Sequence, residues 1–171
     1  NVGTGTMGHA IALQFAVAGY PVHLVGRSEA SLDKSMKAIQ ADAEELNNAG
    51  LLLEGDSVDD VLARISRFTD YASGVAGVDF VIEAVSENLD LKKSIWAEIE
   101  QAAPDDAILA TNTSGLSPTE IQSALKKSER FVVAHFWNPA QLMPLVEVVP
   151  GEKTDPHVVD VTFDLMTKIG K

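Results

Sequence analysis

Two polar side chains that could move or hold a proton lie at the ends of apolar runs that predict β-strands. His135 ends the run Phe131–His135, and Ser114 follows the run Ala107–Thr111. An imidazole has a reference pKa near 6.5, which suits proton exchange at neutral pH, and a serine hydroxyl can hydrogen-bond a substrate oxygen. Oxidation of an alcohol by hydride transfer needs both a base and such a donor.

A carboxylate completes this candidate set. Glu147 lies inside the apolar run Pro144–Val149, where an ionised group is costly unless it is paired. It could hold the second ring nitrogen of His135 and stabilise the charged imidazole. Each residue also has a structural interpretation, because strand-end histidines are often structural, Ser114 and Asn112 could satisfy turn backbone, and Glu147 could pair with a surface lysine. The remaining histidines are not expected to converge with other polar groups: His9, His23 and His157.

A glycine-rich turn opens the chain. Gly3, Gly5 and Gly8 have G-x-G-x-x-G spacing, and a helix is predicted directly after them, from about residue 7 to 18. Such a turn brings backbone N–H groups and the positive end of a helix dipole to a dinucleotide pyrophosphate, so we expect Thr6 and Met7 to line the same site. The alternative is an ordinary glycine-rich turn.

Strands and helices alternate along the rest of the chain. Strands are predicted at 22–25, 67–71, 78–85, 107–111, 131–135 and 144–149, and helices at about 29–48, 57–66, 89–102, 117–127 and 155–170. The helix 89–102 is expected to bury Leu91, Ile95, Trp96 and Ile99. The pattern predicts an α/β fold with a doubly wound, mostly parallel sheet and a helical hairpin after strand 22–25. Only Asn1 and Val2 precede Gly3, so we expect the first strand to be largely missing, and a further domain to follow.

Composition limits the partners. The chain has 171 residues, enough for one domain, and a net charge of −12 that disfavours nucleic acid and anionic membranes. It has no cysteine, no recognisable signal peptide and no apolar run of membrane-spanning length, so a cytoplasmic protein is expected. Residues 41–60 carry seven acidic side chains and no basic one, which predicts a solvated face of the helical hairpin.

Five motifs occur together and in order. They are Gly3-Thr-Gly-Thr-Met-Gly-His-Ala-Ile-Ala, Val81-Ile-Glu-Ala-Val-Ser-Glu-Asn88, Thr111-Asn-Thr-Ser114, His135-Phe-Trp-Asn-Pro139 and Leu145-Val-Glu-Val148. The ordered set covers nearly the whole chain and is far more specific than the glycines alone. It resembles the NAD-binding domain of 3-hydroxyacyl-CoA dehydrogenases, a Rossmann-type domain.

The resemblance implies an activity and the residues that support it. The family oxidises the hydroxyl of an L-3-hydroxyacyl-CoA to a ketone and passes hydride to NAD. Its catalytic histidine falls on His135, the partnered glutamate on Glu147 and the substrate-binding serine on Ser114. Positions lining the cofactor site fall on Glu87, Lys92 and Asn112, and Asn138 lies in the active-site loop, next to substrate. A C-terminal all-helical domain, which supplies most of the homodimer interface, has no counterpart in residues 1–171.

Two departures from the family pattern leave alternatives open. The usual acidic residue after the second strand is replaced by Gly26-Arg27-Ser28, so NADP is an alternative to NAD, because Arg27 could bind a 2′-phosphate. The acid-rich hairpin, with Asp42, Glu44 and Glu45, is a poor surface for CoA phosphates. A dehydrogenase of a 3-hydroxy acid without CoA, or a non-catalytic NAD(P)-binding protein, is therefore an alternative function.

Overall fold

Helices and strands alternate from end to end in the computed structural model, which describes residues 1–171. The helices are α1 (Thr6–Val17), α2 (Glu29–Asn48), α3 (Val58–Ala63), α4 (Tyr71–Gly74), α5 (Leu89–Ala102), α6 (Pro118–Gln122) and α7 (Pro156–Lys168). The strands are β1 (Val22–Val25), β2 (Ile65–Phe68), β3 (Phe80–Glu83), β4 (Ile108–Thr111), β5 (Phe131–Phe136) and β6 (Val146–Pro150). A 3₁₀ turn at Ser128–Arg130 leads into β5.

The strands form one sheet in which residue 2 occupies the central position. β1 pairs with β2, and β3, β4, β5 and β6 pair in that order. Val2 bridges Val25 of β1 and Glu83 of β3, both in parallel, so it joins the two groups of strands. The pairings are parallel except for β5 with β6, which is antiparallel. The predicted doubly wound, mostly parallel sheet is confirmed.

Helices cover both faces of this sheet. Neighbouring residues of a strand point to opposite faces, and their packing follows that alternation: Val81 and Leu109 join the core under α5 and α6, whereas Ile82 and Ala110 join the core under α1, α2 and α7. A strand buried on both faces needs the continuous apolar sequence seen in β3, β4 and β5. The carboxyl ends of β3, β4 and β5 therefore open at one edge, with helices on either side.

Several predicted boundaries are wrong, and the largest departure is at α6, which was expected to reach residue 127 and ends at Gln122. The helix expected over 57–66 ends at Ala63, and the strand expected over 67–71 begins at Ile65. Ile65 is buried and pairs with Val22 in the parallel ladder. Residues 65 and 66, which the sequence pattern assigned to a helix, therefore belong to a strand. Ser57 accepts a hydrogen bond from the backbone N–H of Asp60 at 3.2 Å, which fixes the start of α3 as expected for a serine cap.

None of the helices is both long and apolar enough to cross a lipid bilayer. No three histidine or acidic side chains come close enough together to hold a metal ion.

Candidate active site

The antiparallel pairing of β5 with β6 places His135 directly opposite Glu147. Directly opposed residues project from the same face of a sheet, with their Cβ atoms about 5 Å apart. The His135 Nδ1 atom lies 2.7 Å from the Glu147 Oε2 atom, a hydrogen-bond distance. The contact predicted between these two side chains is present, and the backbone register brings them within reach of each other. Glu147 is not buried as its apolar neighbours suggested, since 48% of its side chain is exposed.

The protonation of this pair follows from its contacts. Hydrogen bonds from His135 and then Trp137 hold the pKa of the Glu147 carboxyl below its usual range. An ionised Glu147 can only accept, so Nδ1 of His135 donates the proton in this contact. In a neutral imidazole the other nitrogen, Nε2, then carries a lone pair, and no protein group bonds to it. The dyad therefore presents a base.

A cleft of about 490 Å³ brings the dyad to the other predicted site residues. It lies at the carboxyl edge of the sheet, where ligands bind in doubly wound folds. Its lining includes members of each predicted group: Gly5, Thr6 and Met7 from the glycine turn, Glu87, Asn112 and Ser114 from the loops after β3 and β4, and His135 and Asn138. Residues separated by more than a hundred positions in sequence thus meet around one space.

Glu87 organises the turn that carries Ser114. Its Oε1 atom accepts hydrogen bonds from the Thr113 hydroxyl and from the backbone N–H groups of Ser114 and Gly115, the last two at 3.1 and 3.3 Å. Burial alone would raise the pKa of Glu87, but these hydrogen bonds and the charge of Lys92 lower it. An ionised Glu87 holds the backbone of Ser114 and leaves its exposed hydroxyl free to face the cleft.

Asn112 links the ends of two strands. Its Oδ1 atom accepts a hydrogen bond of 2.8 Å from the backbone N–H of Phe136, next to His135. The end of β4 is therefore tied to the end of β5, and the side chain of Asn112 has the turn-satisfying role that was one of its two predicted interpretations.

The glycine turn has the shape of a phosphate cradle. A Cβ atom on Gly8 would lie 2.2 Å from the Gly3 carbonyl oxygen, and one on Gly3 would lie 2.4 Å from the Ala84 carbonyl oxygen, so neither position has room for a side chain. A Cβ on Gly5 would meet no atom within 4 Å. Gly5 caps α1 without any side-chain hydrogen bond, so the first N–H groups of α1 are open to the cleft. These features fit a dinucleotide pyrophosphate.

Lys92 does not line the cleft, contrary to the prediction. Its side chain is 1% exposed, and its Nζ atom contacts the Glu83 carboxylate at 2.6 Å, with Glu87 at 3.5 Å. The Thr111 hydroxyl donates to the other Glu83 oxygen at 2.7 Å. Leu91, which was expected in the core, is 41% exposed instead. Helix α5 is turned so that an ion pair, rather than a leucine, lies against the sheet.

The loop after His135 is fastened from two sides. Gln141 donates to Asp42 on α2 at 3.0 Å, and the same Asp42 oxygen lies 3.2 Å from Nε2 of His9 on α1. Lys171 donates to the carbonyl oxygens of Ala140 and Met143 at 2.6 and 2.9 Å, and burial lowers the pKa of Lys171 to about 8. His9 therefore does converge with other polar groups, and Asp42 does not belong to a purely solvated face.

The turn after β1, Gly26-Arg27-Ser28, differs from the glycine turn. Gly26 is crowded, since a Cβ there would approach Thr4 Cγ2 to 2.7 Å and Leu32 Cδ2 to 3.0 Å. The Ser28 hydroxyl is used as the cap of α2, where it accepts from the Ser31 N–H. Arg27 is exposed and makes no hydrogen bond or ion pair, so its guanidinium is the free donor of this turn. It lies outside the residues that line the cleft.

Comparison with known proteins decides the family. The NAD-binding domain of 3-hydroxyacyl-CoA dehydrogenases matches this chain over residues 1–171. The chain belongs to this family. It is 34% identical to a 3-hydroxybutyryl-CoA dehydrogenase of Clostridioides difficile and 35% identical to lambda-crystallin of Oryctolagus cuniculus, in each case over 170 residues. A crystal structure of 3-hydroxybutyryl-CoA dehydrogenase from Escherichia coli K12 superposes with a TM-score of 0.93 at 37% identity over 99% of the chain.

This member of the 3-hydroxyacyl-CoA dehydrogenase family spans only part of those relatives. It covers 60% of the Clostridioides difficile protein, 53% of the lambda-crystallin and 36% of the Escherichia coli chain. The predicted family and Rossmann-type fold are confirmed by these matches.

Three residues around the site lie in the motifs given above but were assigned no role from the sequence. Trp137 lines the cleft and contacts Glu147, Thr113 bonds to Glu87, and Glu83 anchors Lys92. A signal existed for Trp137, because it stands two residues after His135 and so shares its face if the strand geometry continues. Thr113 and Glu83 also stand at strand ends, but their partners Glu87 and Lys92 belong to other elements, so the sequence did not show these contacts.

Proposed function

We propose that this chain is the dinucleotide-binding domain of an enzyme that interconverts an L-3-hydroxyacyl-CoA and its 3-keto form with NAD. One observation carries the proposal: His135 is held by Glu147 at 2.7 Å on the wall of the cleft into which the glycine turn opens. A domain that only binds a dinucleotide has no need for such a base beside its cofactor cleft. The membership of the chain in the dehydrogenase family supports the same proposal.

Each side chain of the site has its own role in the proposed reaction. The Ser114 hydroxyl and Nε2 of His135 bind the oxygen at C3 of the substrate. As that hydroxyl loses its proton, Nε2 accepts it, and the resulting imidazolium lies against the ionised Glu147 carboxylate. NAD held at the glycine turn would supply the acceptor for the hydride that leaves C3. In the reverse direction the imidazolium returns the proton to the ketone oxygen, and Ser114 donates to that oxygen as negative charge develops.

The dinucleotide preference is part of the proposal. No carboxylate stands at Gly26 to repel a 2′-phosphate, and Arg27 is exposed with no internal partner. A charge-assisted hydrogen bond from a guanidinium contributes about 1.5–3 kcal/mol before solvent screening, which at this exposed position is reduced. We therefore expect NADP(H) to bind with an affinity close to that of NAD(H), rather than being rejected.

The acyl-CoA substrate and a homodimer are further parts of this proposal. The relatives extend well beyond the matched region, and the all-helical dimerisation domain that the family resemblance implies stays a prediction. The acidic α2–α3 region disfavours contact with CoA phosphates there, since Glu44 and Glu45 are exposed and uncompensated. A 3-hydroxy acid without CoA is the alternative substrate. The similarity to lambda-crystallin makes a non-catalytic role the second candidate.

A single substitution tests the proposal. In the natural protein, His135→Gln should lower the rate of acetoacetyl-CoA reduction, followed by NADH absorbance, by about 10²- to 10⁴-fold, the usual contribution of a positioned general base. NADH affinity should stay near that of the wild type, because His135 does not belong to the glycine turn. His157→Gln, at an exposed site on α7, is the matched control and should change neither quantity. Full activity in His135→Gln would refute the role of the base.

A further inference from the structure

Trp137 shares a carboxylate oxygen with His135. The indole Nε1–H donates to the Oε2 atom of Glu147 at 3.3 Å, and the His135 Nδ1–H reaches the same atom at 2.7 Å. The two ring centroids are 6.0 Å apart and the rings are inclined by 50°. The indole therefore lies beside the imidazole, not stacked on it, and meets it only through Glu147.

The position of Trp137 follows from the strand that precedes it. Successive side chains of a strand alternate between faces, so residues 135 and 137 project to the same side as β5 ends. Glu147, opposite His135 in the antiparallel pair, is then within reach of both rings. Trp137 is 45% exposed, so burial does not explain the position of its ring. The hydrogen bond to Glu147 explains that position instead.

Glu147 needs a second partner because it is open to water. With 48% of its side chain exposed, the carboxylate can turn away from His135 and be solvated instead. One hydrogen bond fixes the distance to the imidazole but leaves the carboxylate free to rotate about it. A second donor at the same oxygen, the indole N–H of Trp137, restricts that rotation.

We propose that Trp137 is a positioning residue whose indole N–H locks the Glu147 carboxylate in the orientation that holds His135 as a base. Its consequence for the rate rests on the function proposed above, whereas its effect on Glu147 does not. The ring also forms part of the cleft wall beside Asn138, where the substrate would pass. Trp137 acts through Glu147 and touches no reacting atom.

The two tryptophans of the chain allow a matched experiment. Trp137→Phe removes the N–H and keeps an aromatic ring, whereas Trp96→Phe makes the same change at a buried indole whose N–H has no partner. The probe is the pH titration of the Glu147 side-chain carboxyl carbon by NMR in glutamate-labelled protein, with Glu147→Gln to assign the signal. We expect the titration midpoint to rise toward 4.5 in Trp137→Phe and to stay unchanged in Trp96→Phe. An unchanged midpoint in Trp137→Phe overturns the proposal.

Kinetics of the natural protein give the second readout. Trp137→Phe should lower kcat by about three- to tenfold, the effect expected from one partly exposed hydrogen bond, without changing the KM for NADH. If the N–H is the contributing group, Trp137→Ala should lower kcat no more than Trp137→Phe does. A kcat lowered in Trp137→Ala alone would show that the ring acts only by packing and would overturn the proposal. Absence of any dehydrogenase activity would refute the proposed function, while the carboxyl titration would still decide the role of Trp137.

Discussion

Replacing Lys92 with methionine should destabilise the domain far more than an ordinary surface change. The Lys92 ammonium and the Glu83 carboxylate are 1% and 0% exposed and lie 2.6 Å apart. Removal of the ammonium leaves Glu83 with hydrogen bonds from the Val85 N–H and the Thr111 hydroxyl, but without a neutralising charge. The carboxylate must then stay buried without its cation or bind a proton, and both outcomes cost free energy.

The size of the effect follows from measurements on other buried ion pairs. Removing one partner of such a pair costs about 3–5 kcal/mol, because the remaining charge is uncompensated. The free energy of unfolding of a domain is about 5–15 kcal/mol in total, so Lys92→Met should remove a large fraction of it. With a urea m-value of about 2 kcal/mol/M, the unfolding midpoint should fall by about 2 M.

Urea unfolding followed by far-UV circular dichroism measures this shift. Lys93→Met is the matched control, because Lys93 is the next residue of α5 and makes no ion pair, and it should leave the midpoint almost unchanged. The double variant Glu83→Met with Lys92→Met has no uncompensated charge and should be more stable than Lys92→Met alone. The reasoning fails if Lys92→Met unfolds at the same urea concentration as Lys93→Met, or if the double variant is the less stable of the two.

Three further predictions concern other parts of the site. The pKa of Glu87 is lowered in the fold, so its carboxylate stabilises the fold above its ordinary pKa of 4.5 and loses that contribution as the pH falls through the lowered value. Urea unfolding should therefore show Glu87→Gln less stable than wild type at neutral pH, with the difference closing as the pH falls below 4.5 and through the lowered pKa of Glu87; a gap that widens in acid would contradict this. Arg27→Gln should weaken NADPH binding by about three- to tenfold and leave NADH binding unchanged in fluorescence titrations, and equal losses for both cofactors would exclude contact with a 2′-phosphate. Gly8→Ala should lower the thermal unfolding midpoint because its methyl group would lie 2.2 Å from the Gly3 carbonyl oxygen, whereas Gly5→Ala, which meets no atom within 4 Å, should unfold like wild type.

The meeting of Ser114 with His135 was predictable from the sequence. Each follows or ends an apolar strand, and parallel strands in a doubly wound sheet end at one edge, so their side chains share a cleft. The glycine turn was predictable for the same reason, because helix α1 begins at that edge. Only strand order and direction were needed, and both follow from the alternation of strands and helices.

The orientation of α5 was not predictable from its own residues. The apolar pattern favours burial of Leu91, and burial of Lys92 looks unfavourable in isolation. Glu83, on a strand nine residues earlier, reverses that preference by supplying a charge inside the core. A pattern within one helix carries no information about an ion pair formed with another element.

Contacts between distant elements account for the other errors. His9 meets Asp42, which lies 33 residues further along the chain, and Asp42 also meets Gln141, 99 residues beyond it. The end of α3 is decided by the pairing of Ile65 with Val22, which a helical pattern does not contain. In these places, contacts between residues distant in the sequence override the local secondary-structure propensity.

Because His135 and Glu147 are paired across two strands, their backbone positions depend on strand register and not on loop length. The ladder between β5 and β6 sets their backbone positions, and the only loop residue that hydrogen-bonds to Glu147 is Trp137, at the start of the connection between these strands. Insertions or replacements after Asn138 can therefore reshape the mouth of the cleft while the His135–Glu147 pair stays aligned. A slip of the ladder by one residue, in contrast, would turn Glu147 to the opposite face. A redesign of the cleft mouth can therefore vary the part of the loop after Asn138, provided that Trp137 and the strand register are kept.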